Sequence, residues 1–469
     1  MTNTESAGAT RATAPRSSTS RQPRASRAVQ PRHTPAPARA TTPATPAVSA
    51  PSSRQRPTIA DVFDAQRVIG PYINATPLLT SHTFSQMTGA EVYLKAENLQ
   101  RSGAYKLRGA TYKLSRLTSE ERARGVVAAS AGNHAQGVAL AASRLGIRCT
   151  IVMPTGAPLA KITATRGYGA EVVLHGANYD AAYEHAHALC EEAGAVFIHA
   201  FDDPDIIAGQ GTIGLELLAA LPDVEAIIVG IGGGGLISGI ATAVKAEHPA
   251  VRIIGVQASG AASMRAALDA GHLVTLDAVH TIADGIATRQ AGSLTYAIVR
   301  DLVDDVITVD DDEIVRAVLL LLERCKLLVE GAGAASVAAL LSGRLALTGR
   351  KTVALLSGGN VDINMVDRFI QHGLAAQGRY LVLHTTLLDR PGQLSGLLAT
   401  IAEQGVNVLD IEHRRAGPHL AIQQAAVTLT LETRDRAHCE ALLELLRGKG
   451  YRVAEGGPEF ADDSGVSRE

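Results

Sequence analysis

From about Thr58 to Gly373, short apolar runs alternate with stretches of helical period. The runs 126–129, 149–153, 171–174, 226–231 and 252–257 are short, most of them rich in Val and Ile, and they predict buried strands. Residues 135–145, 179–193 and 236–246 separate these runs with helix-like spacing. Strand, helix, strand repetition predicts an α/β architecture with parallel sheet. Strands that read as apolar on both faces fit a sheet covered by helices on both sides.

A different rhythm runs from Tyr380 to about Val453. A strand-like run at 380–388 leads into the turn Asp389-Arg390-Pro391-Gly392, and the helix after it carries Leu394, Leu397, Leu398 and Ile401 as one stripe. Strand-like runs follow at 406–414 and 420–432. In the later one Val427, Leu429 and Leu431 alternate with Thr428, Thr430 and Glu432, giving one buried face and one wet face. A second helix repeats the stripe with Cys439, Leu442, Leu443 and Leu446, and 451–453 closes a last strand. The order βαββαβ is the ferredoxin-like split unit.

Composition changes the picture at the two ends. Residues 1–57 are Ala, Pro, Thr, Ser and Arg with no apolar period. Such a segment cannot bury enough surface to offset its ordering entropy and is expected to be disordered. It holds nine arginines, no lysine and one acid, Glu5, a net +8 against −2 overall, which leaves −10 on the remainder. Its makeup resembles an Arg- and Ser-rich transit peptide. The plainer readings are a solvated tail or a start codon placed too far upstream. A main domain is expected at 58–373, with a small subdomain at about 101–200 inserted in a large one, then a second domain at 376–455 and a flexible tail at 456–469.

Charge and composition also exclude function classes. An acidic remainder lacks the clustered Lys and Arg that phosphate backbones require, and with no Trp and 3% aromatics, stacking platforms are scarce, so no nucleic-acid partner is expected. The chain has no apolar run long enough for a membrane span and no apolar signal core near its start, so no membrane partner is expected either. Cys149, Cys190, Cys325 and Cys439 are far apart, neither a metal pair nor a disulfide framework, which points to a reducing cytoplasm.

Three separated features carry the candidate chemistry. Lys106 sits in Ser102-Gly103-Ala104-Tyr105-Lys106-Leu107-Arg108-Gly109-Ala110, among small and apolar neighbours. A desolvated lysine loses part of its proton affinity and becomes a nucleophile for an aldehyde; taken alone, a surface lysine is the commoner case. Gly232-Gly233-Gly234-Gly235-Leu236 lies between a predicted strand and a predicted helix. Its backbone can approach a ligand closely, and successive N–H groups at a helix start form an anion cradle. The spacing is neither GxGxxG nor a P-loop, so dinucleotide and NTP readings are weak. Ser130-Ala131-Gly132-Asn133-His134-Ala135-Gln136-Gly137 occupies a similar place after another strand. It suits either a carboxylate held by backbone N–H groups or a plain capping turn with Ser130 or Asn133 as the cap.

In combination these residues resemble the fold-type-II pyridoxal-phosphate enzymes, specifically the threonine dehydratases (threonine ammonia-lyases). The resemblance runs from about Thr58 to Gln371 and includes Asp202-Asp203-Pro204, Gly209-Gln210-Gly211-Thr212 and Ser357-Gly358-Gly359-Asn360 in matching order. It implies two open parallel-sheet subdomains for the catalytic part, while 380–453 looks like an ACT domain, a module that often binds amino-acid effectors. By resemblance, Lys106 bonds the aldehyde of pyridoxal 5'-phosphate and later shuttles the Cα proton, with Tyr105 beside the cofactor. Gly232, Gly233, Gly234, Gly235 and Leu236 hold its phosphate, Asn133 bonds its ring oxygen, and Ser357 faces its ring nitrogen. Ser130, Ala131, Gly132, Asn133 and His134 grip the substrate carboxylate.

A neutral serine at the ring nitrogen makes a weaker electron sink than a carboxylate, which favours prompt β-elimination over transamination. Ala131 stands where related serine racemases carry a second serine, which favours dehydratase over racemase. Divalent-metal sites in some relatives use a Glu near Gln257; Gln is a poorer hard-cation ligand, Asp284 alone remains, and no metal is expected. The implied reaction converts threonine to 2-oxobutanoate, an isoleucine precursor, and ammonia. The rivals are a serine dehydratase or β-replacement enzyme of the same fold, and a non-catalytic amino-acid sensor. A branched-chain effector at the ACT-like unit and a homo-oligomer are the expected partners beyond substrate.

Overall fold

Strand order sets the architecture. The computed structural model describes residues 55–415 and 420–456. The predicted N-terminal tail falls almost wholly outside the described residues, as does the C-terminal one.

The large sheet contains β1 (Leu78–Thr80), β2 (Glu91–Ala96), β7 (Ala226–Gly230), β8 (Arg252–Ala258), β9 (Asp305–Val309) and β10 (Lys351–Leu356). Its order is β1-β2-β10-β7-β8-β9, parallel except for β1, which pairs antiparallel to β2. Both faces are covered. Ala226 and Ile228 of β7 belong to one core cluster, while Ile227 and Val229 point into another. That is why these strands show no polar alternation in sequence.

The small sheet contains β3 (Val126–Ala129), β4 (Cys149–Met153), β5 (Glu171–Leu174) and β6 (Val196–Phe197), all parallel, in the order β5-β4-β3-β6. Buried character on both faces holds for β3 but not for β5, whose Glu171 and Leu174 are exposed. β5 is an edge strand with a neighbour on one side only, so the covered-strand expectation fails there.

The third sheet is antiparallel: β11 (Tyr380–Leu388), β12 (Asn407–Arg414), β13 (Gln424–Glu432) and β14 (Val453–Glu455), in the order β12-β13-β11-β14. Leu381, Leu383, Val427, Leu429 and Leu431 bury one face against Leu397, Ile401, Leu442, Leu443 and Leu446 of two helices. The βαββαβ order is therefore present. The last strand starts two residues later than the pattern places it, and β13 starts at Gln424, after a turn at 422–423.

Close helix packing positions the chemistry. The helix Lys106–Ser115 lies against Pro204–Ala220 with Gly109 facing Gly209, where a Cβ on Gly209 would stand 2.6 Å from Gly109 Cα. Gln210 Oε1 accepts from the Gly109 amide at 3.2 Å. The stretch Gly209-Gln210-Gly211-Thr212 is thus a helix contact, and its small residues set the interaxial distance of the helix that begins with Lys106.

Candidate active site

Residue 106 opens its helix, and its amine turns inward. Nζ donates to the Ala200 carbonyl oxygen at 2.9 Å. Burial disfavours the ammonium and brings Lys106 down to about 8, against an opposing pull from Glu330. The residue after Ala200, Phe201, lies over the glycine bend: a Cβ on Gly233 would strike its ring. Ala200 and Phe201 therefore bring the amine and the bend together, although 126 positions separate Lys106 from Gly232 in sequence.

The bend follows β7 and opens the helix Gly235–Glu247, whose N-cap is Gly234 at φ +98°. A side chain at Gly234 would be strained by that φ and would also meet Met264 and Thr295. The first-turn amides have no side-chain cap, which leaves them for an anion. The Ser130–His134 stretch is built on the same plan after β3. Gly132 is the N-cap of the helix Asn133–Leu145, and neither Ser130 nor Asn133 caps it. Ser130 Oγ accepts from the Gly132 amide at 3.1 Å, while Asn133 points away to Glu330. The His134 ring is committed to the Ile198 carbonyl at 2.9 Å and is held down to about 3 by burial and by Lys106, so it is neutral.

Ser357 follows β10, and its carbonyl accepts from the Tyr105 amide at 3.1 Å, which sets it beside the lysine. Its hydroxyl makes no hydrogen bond among the described residues. Tyr105, Lys106, Ser130, Ala131, Gly132, Asn133, His134, Gly232, Gly233, Gly234, Gly235, Leu236 and Ser357 all line one cavity of about 890 Å³.

The same cavity is lined by Glu330, which the sequence reading did not single out. Glu330 is buried, accepts from Asn133 Nδ2 at 2.6 Å and is raised to about 7 by burial and by Asp284. Its signal was faint: a lone acid between Leu327-Leu328-Val329 and Gly331-Ala332-Gly333. Asn360 ties Asn133 Oδ1 to the Ser102 carbonyl, at 2.8 Å and 2.7 Å. Asp284 pairs with Lys161 at 2.6 Å. Gln257 bonds the Arg265 amide and the Ala261 and Ile231 carbonyls. Among the described residues no group of three or more His, Cys, Asp or Glu is placed to hold a metal ion.

Behind the cavity, Arg108 anchors the lysine helix. It is fully buried and meets Glu97 through Nε and Nη2 at 2.8 and 2.7 Å, and Glu216 through Nη1 and Nη2 at 2.6 and 2.9 Å. Lys95 completes the cluster on Glu216 at 2.5 Å. Burial opposes ionisation of Glu97, but the Arg108 guanidinium outweighs it and holds the carboxyl below its usual range.

Residues 69–358 match the model of the pyridoxal-phosphate dependent enzymes. The chain belongs to that family. Residues 382–448 match the ACT domain. The L-threonine ammonia-lyase of Thermotoga maritima is 50% identical over 84% of this chain and 98% of its own. Among solved structures, the processed form of threonine deaminase isoform 2 from Solanum lycopersicum superposes with a TM-score of 0.64 at 38% identity, covering 68% of this chain and 90% of its own. Maize serine racemase gives a TM-score of 0.65 at 39% identity, covering 69% and 99%.

The cavity fits the family's cofactor on its own terms. It offers a desolvated amine for the aldehyde, uncapped amides on a glycine bend for the phosphate, and an unpartnered hydroxyl at Ser357 for a polar ring atom. Because only the neutral amine attacks an aldehyde, reloading of cofactor-stripped protein is expected to speed up about tenfold per pH unit and to level off above about pH 8. The rise in cofactor absorbance after mixing, followed across pH, measures this. A rate still climbing toward about pH 10.4, the value for an exposed lysine, would contradict the desolvated amine.

Proposed function

We propose that this chain eliminates water and then ammonia from L-threonine, giving 2-oxobutanoate, with pyridoxal 5'-phosphate as cofactor. The observation that carries the reading is the Lys106 amine, its proton affinity lowered by burial, placed beside the uncapped glycine bend. When bound, the cofactor supplies the aldehyde and the electron sink that labilise the Cα proton. Lys106 would bond that aldehyde and is the base placed to take the Cα proton. Tyr105 packs beside the cofactor. The backbone amides from Gly232 to Leu236 hold its phosphate, Asn133 bonds its ring oxygen, and Ser357 meets its ring nitrogen as a neutral partner. The backbone around Ser130, Ala131, Gly132, Asn133 and His134 receives the substrate carboxylate.

Ala131 brings no hydroxyl to the cavity, so a second acid–base group of the racemase kind is missing at that position, which favours elimination. Serine is the alternative substrate. The methyl that separates the two is worth about 1–3 kcal/mol in a fitted pocket. Purified protein is expected to form 2-oxo acid from threonine with the higher kcat/KM, and from serine more slowly. No 2-oxo acid from either substrate would end the enzymatic reading and leave the amino-acid sensor.

The remaining parts follow from this reading. Residues 58–373 form the catalytic domain, with about 101–200 as its smaller subdomain, and 376–455 the regulatory one. A branched-chain amino acid, isoleucine or valine, binds the ACT domain and biases an oligomer's equilibrium. β12 supports self-association: it is an edge strand whose Leu409 and Ile411 are exposed. No helix among the described residues is long and apolar enough to cross a membrane, and the four cysteines are free thiols, which suits a reducing cytoplasm. The product suits a place in isoleucine biosynthesis. Turnover of threonine is expected to change when isoleucine or valine is added; unchanged kinetics with both would remove the effector.

A further inference from the structure

One buried ionisable group of the cavity has no part in that scheme. Glu330 is 4% exposed. It is wedged by backbone: a Cβ on Gly358 would strike its Oε1, and its own amide donates to the Gly358 carbonyl at 3.1 Å. Its carboxylate is therefore fixed in place and reads the amide of Asn133.

That amide has two chemically different ends. Asn360 Nδ2, itself anchored on the Ser102 carbonyl, donates to one end at 2.8 Å, which must be oxygen. Glu330 Oε1 accepts from the other end at 2.6 Å, which must be nitrogen. An amide placed between a donor and a carboxylate has one satisfying orientation. One hydrogen of Nδ2 is then engaged by Glu330, and the second is left for the cavity.

We propose that Glu330 is a positioning residue for the cofactor ring: acting through Asn133, it fixes which end of that amide faces the ring oxygen and keeps a negative charge behind it. The inference rests on the proposed role of Asn133. The charged groups around Glu330 are Lys106 and Lys161, which favour its ionised form, and Asp284, which opposes it. Burial and Asp284 raise its carboxyl to about 7, so its charge develops as the pH rises through neutrality. The ionised carboxylate in turn favours the protonated form of the Lys106 nitrogen. Removing it makes that nitrogen easier to deprotonate.

The test uses the full chain loaded with pyridoxal 5'-phosphate, as wild type, E330Q, E330D and N133A. Two quantities are read: the pH midpoint of the bound cofactor's absorbance change, and the cofactor dissociation constant by equilibrium dialysis. E330Q is expected to move the midpoint to lower pH by about one unit and to weaken cofactor retention about tenfold. E330D keeps the charge but not the reach, so the midpoint is expected to stay near wild type while retention weakens. A wild-type midpoint and retention in E330Q, with both altered in N133A, would overturn the role of Glu330 and leave that of Asn133 standing. No change in N133A would bring down the reading of Asn133, and the inference with it. If E330Q does not accumulate as folded protein, retention in E330D decides: weakened retention supports the proposal, and wild-type retention overturns it.

Discussion

Lys106→Ala is expected to abolish the absorbance of bound cofactor and to lower 2-oxo acid formation by about a thousandfold or more, since both the nucleophile and the base are removed. The fold should persist. The lysine heads its helix, and the interhelical contact is made by Gly109 and Gly209. The amine's one hydrogen bond is to a main-chain carbonyl, and the nearby Glu330 keeps its own hydrogen bond from Asn133 when the amine is removed. Ultraviolet–visible spectra, a threonine assay and thermal unfolding of the same preparation check all three statements. A variant that stays coloured after dialysis would refute the covalent role of Lys106.

Arg108→Met is expected to destabilise the fold by about 3–5 kcal/mol. Its guanidinium bonds both Glu97 and Glu216, and Glu97 is itself fully buried. Removing the cation leaves Glu97 with only Thr76 as a hydrogen-bond partner, and Lys95 remaining on Glu216 does not replace it. Burying an unpaired carboxylate costs far more than the pair contributes. The double change Arg108→Met with Glu97→Leu should therefore recover part of the lost stability. Denaturant midpoints of the single and double variants test this. A single variant as stable as wild type would mean that water reaches the cluster.

The elements were largely legible in the sequence, because burial on two faces and burial on one face leave different patterns. Residues 126–129, 149–153, 179–193 and 380–388 read from the sequence coincide with the observed elements. The β5 edge was misread, since Glu171-Val172-Val173-Leu174 is apolar enough to look covered while lying at the rim of the small sheet. β1, β2, β6, β9 and β10 were not singled out; Leu78–Thr80 and Val196–Phe197 are too short to carry a pattern. Of the site, the buried amine and the two glycine-containing strand–helix turns that line the cavity were legible, because such turns are unusual locally. Glu330 was not, because it acts across 197 positions on Asn133 and only folding creates that neighbour. The buried cluster of Lys95, Glu97, Arg108 and Glu216 was equally invisible, as no single sequence window contains all four.

The way Lys106 meets Ala200 has a consequence for reactivity. A neutral amine that gives away an N–H keeps its lone pair unshared and directed elsewhere. The carbonyl thus serves as a berth: it orients the nitrogen without occupying the electrons that must attack. A carboxylate in that place would have drawn the nitrogen into the ammonium state and silenced it. The main-chain oxygen steers the nucleophile and leaves it armed.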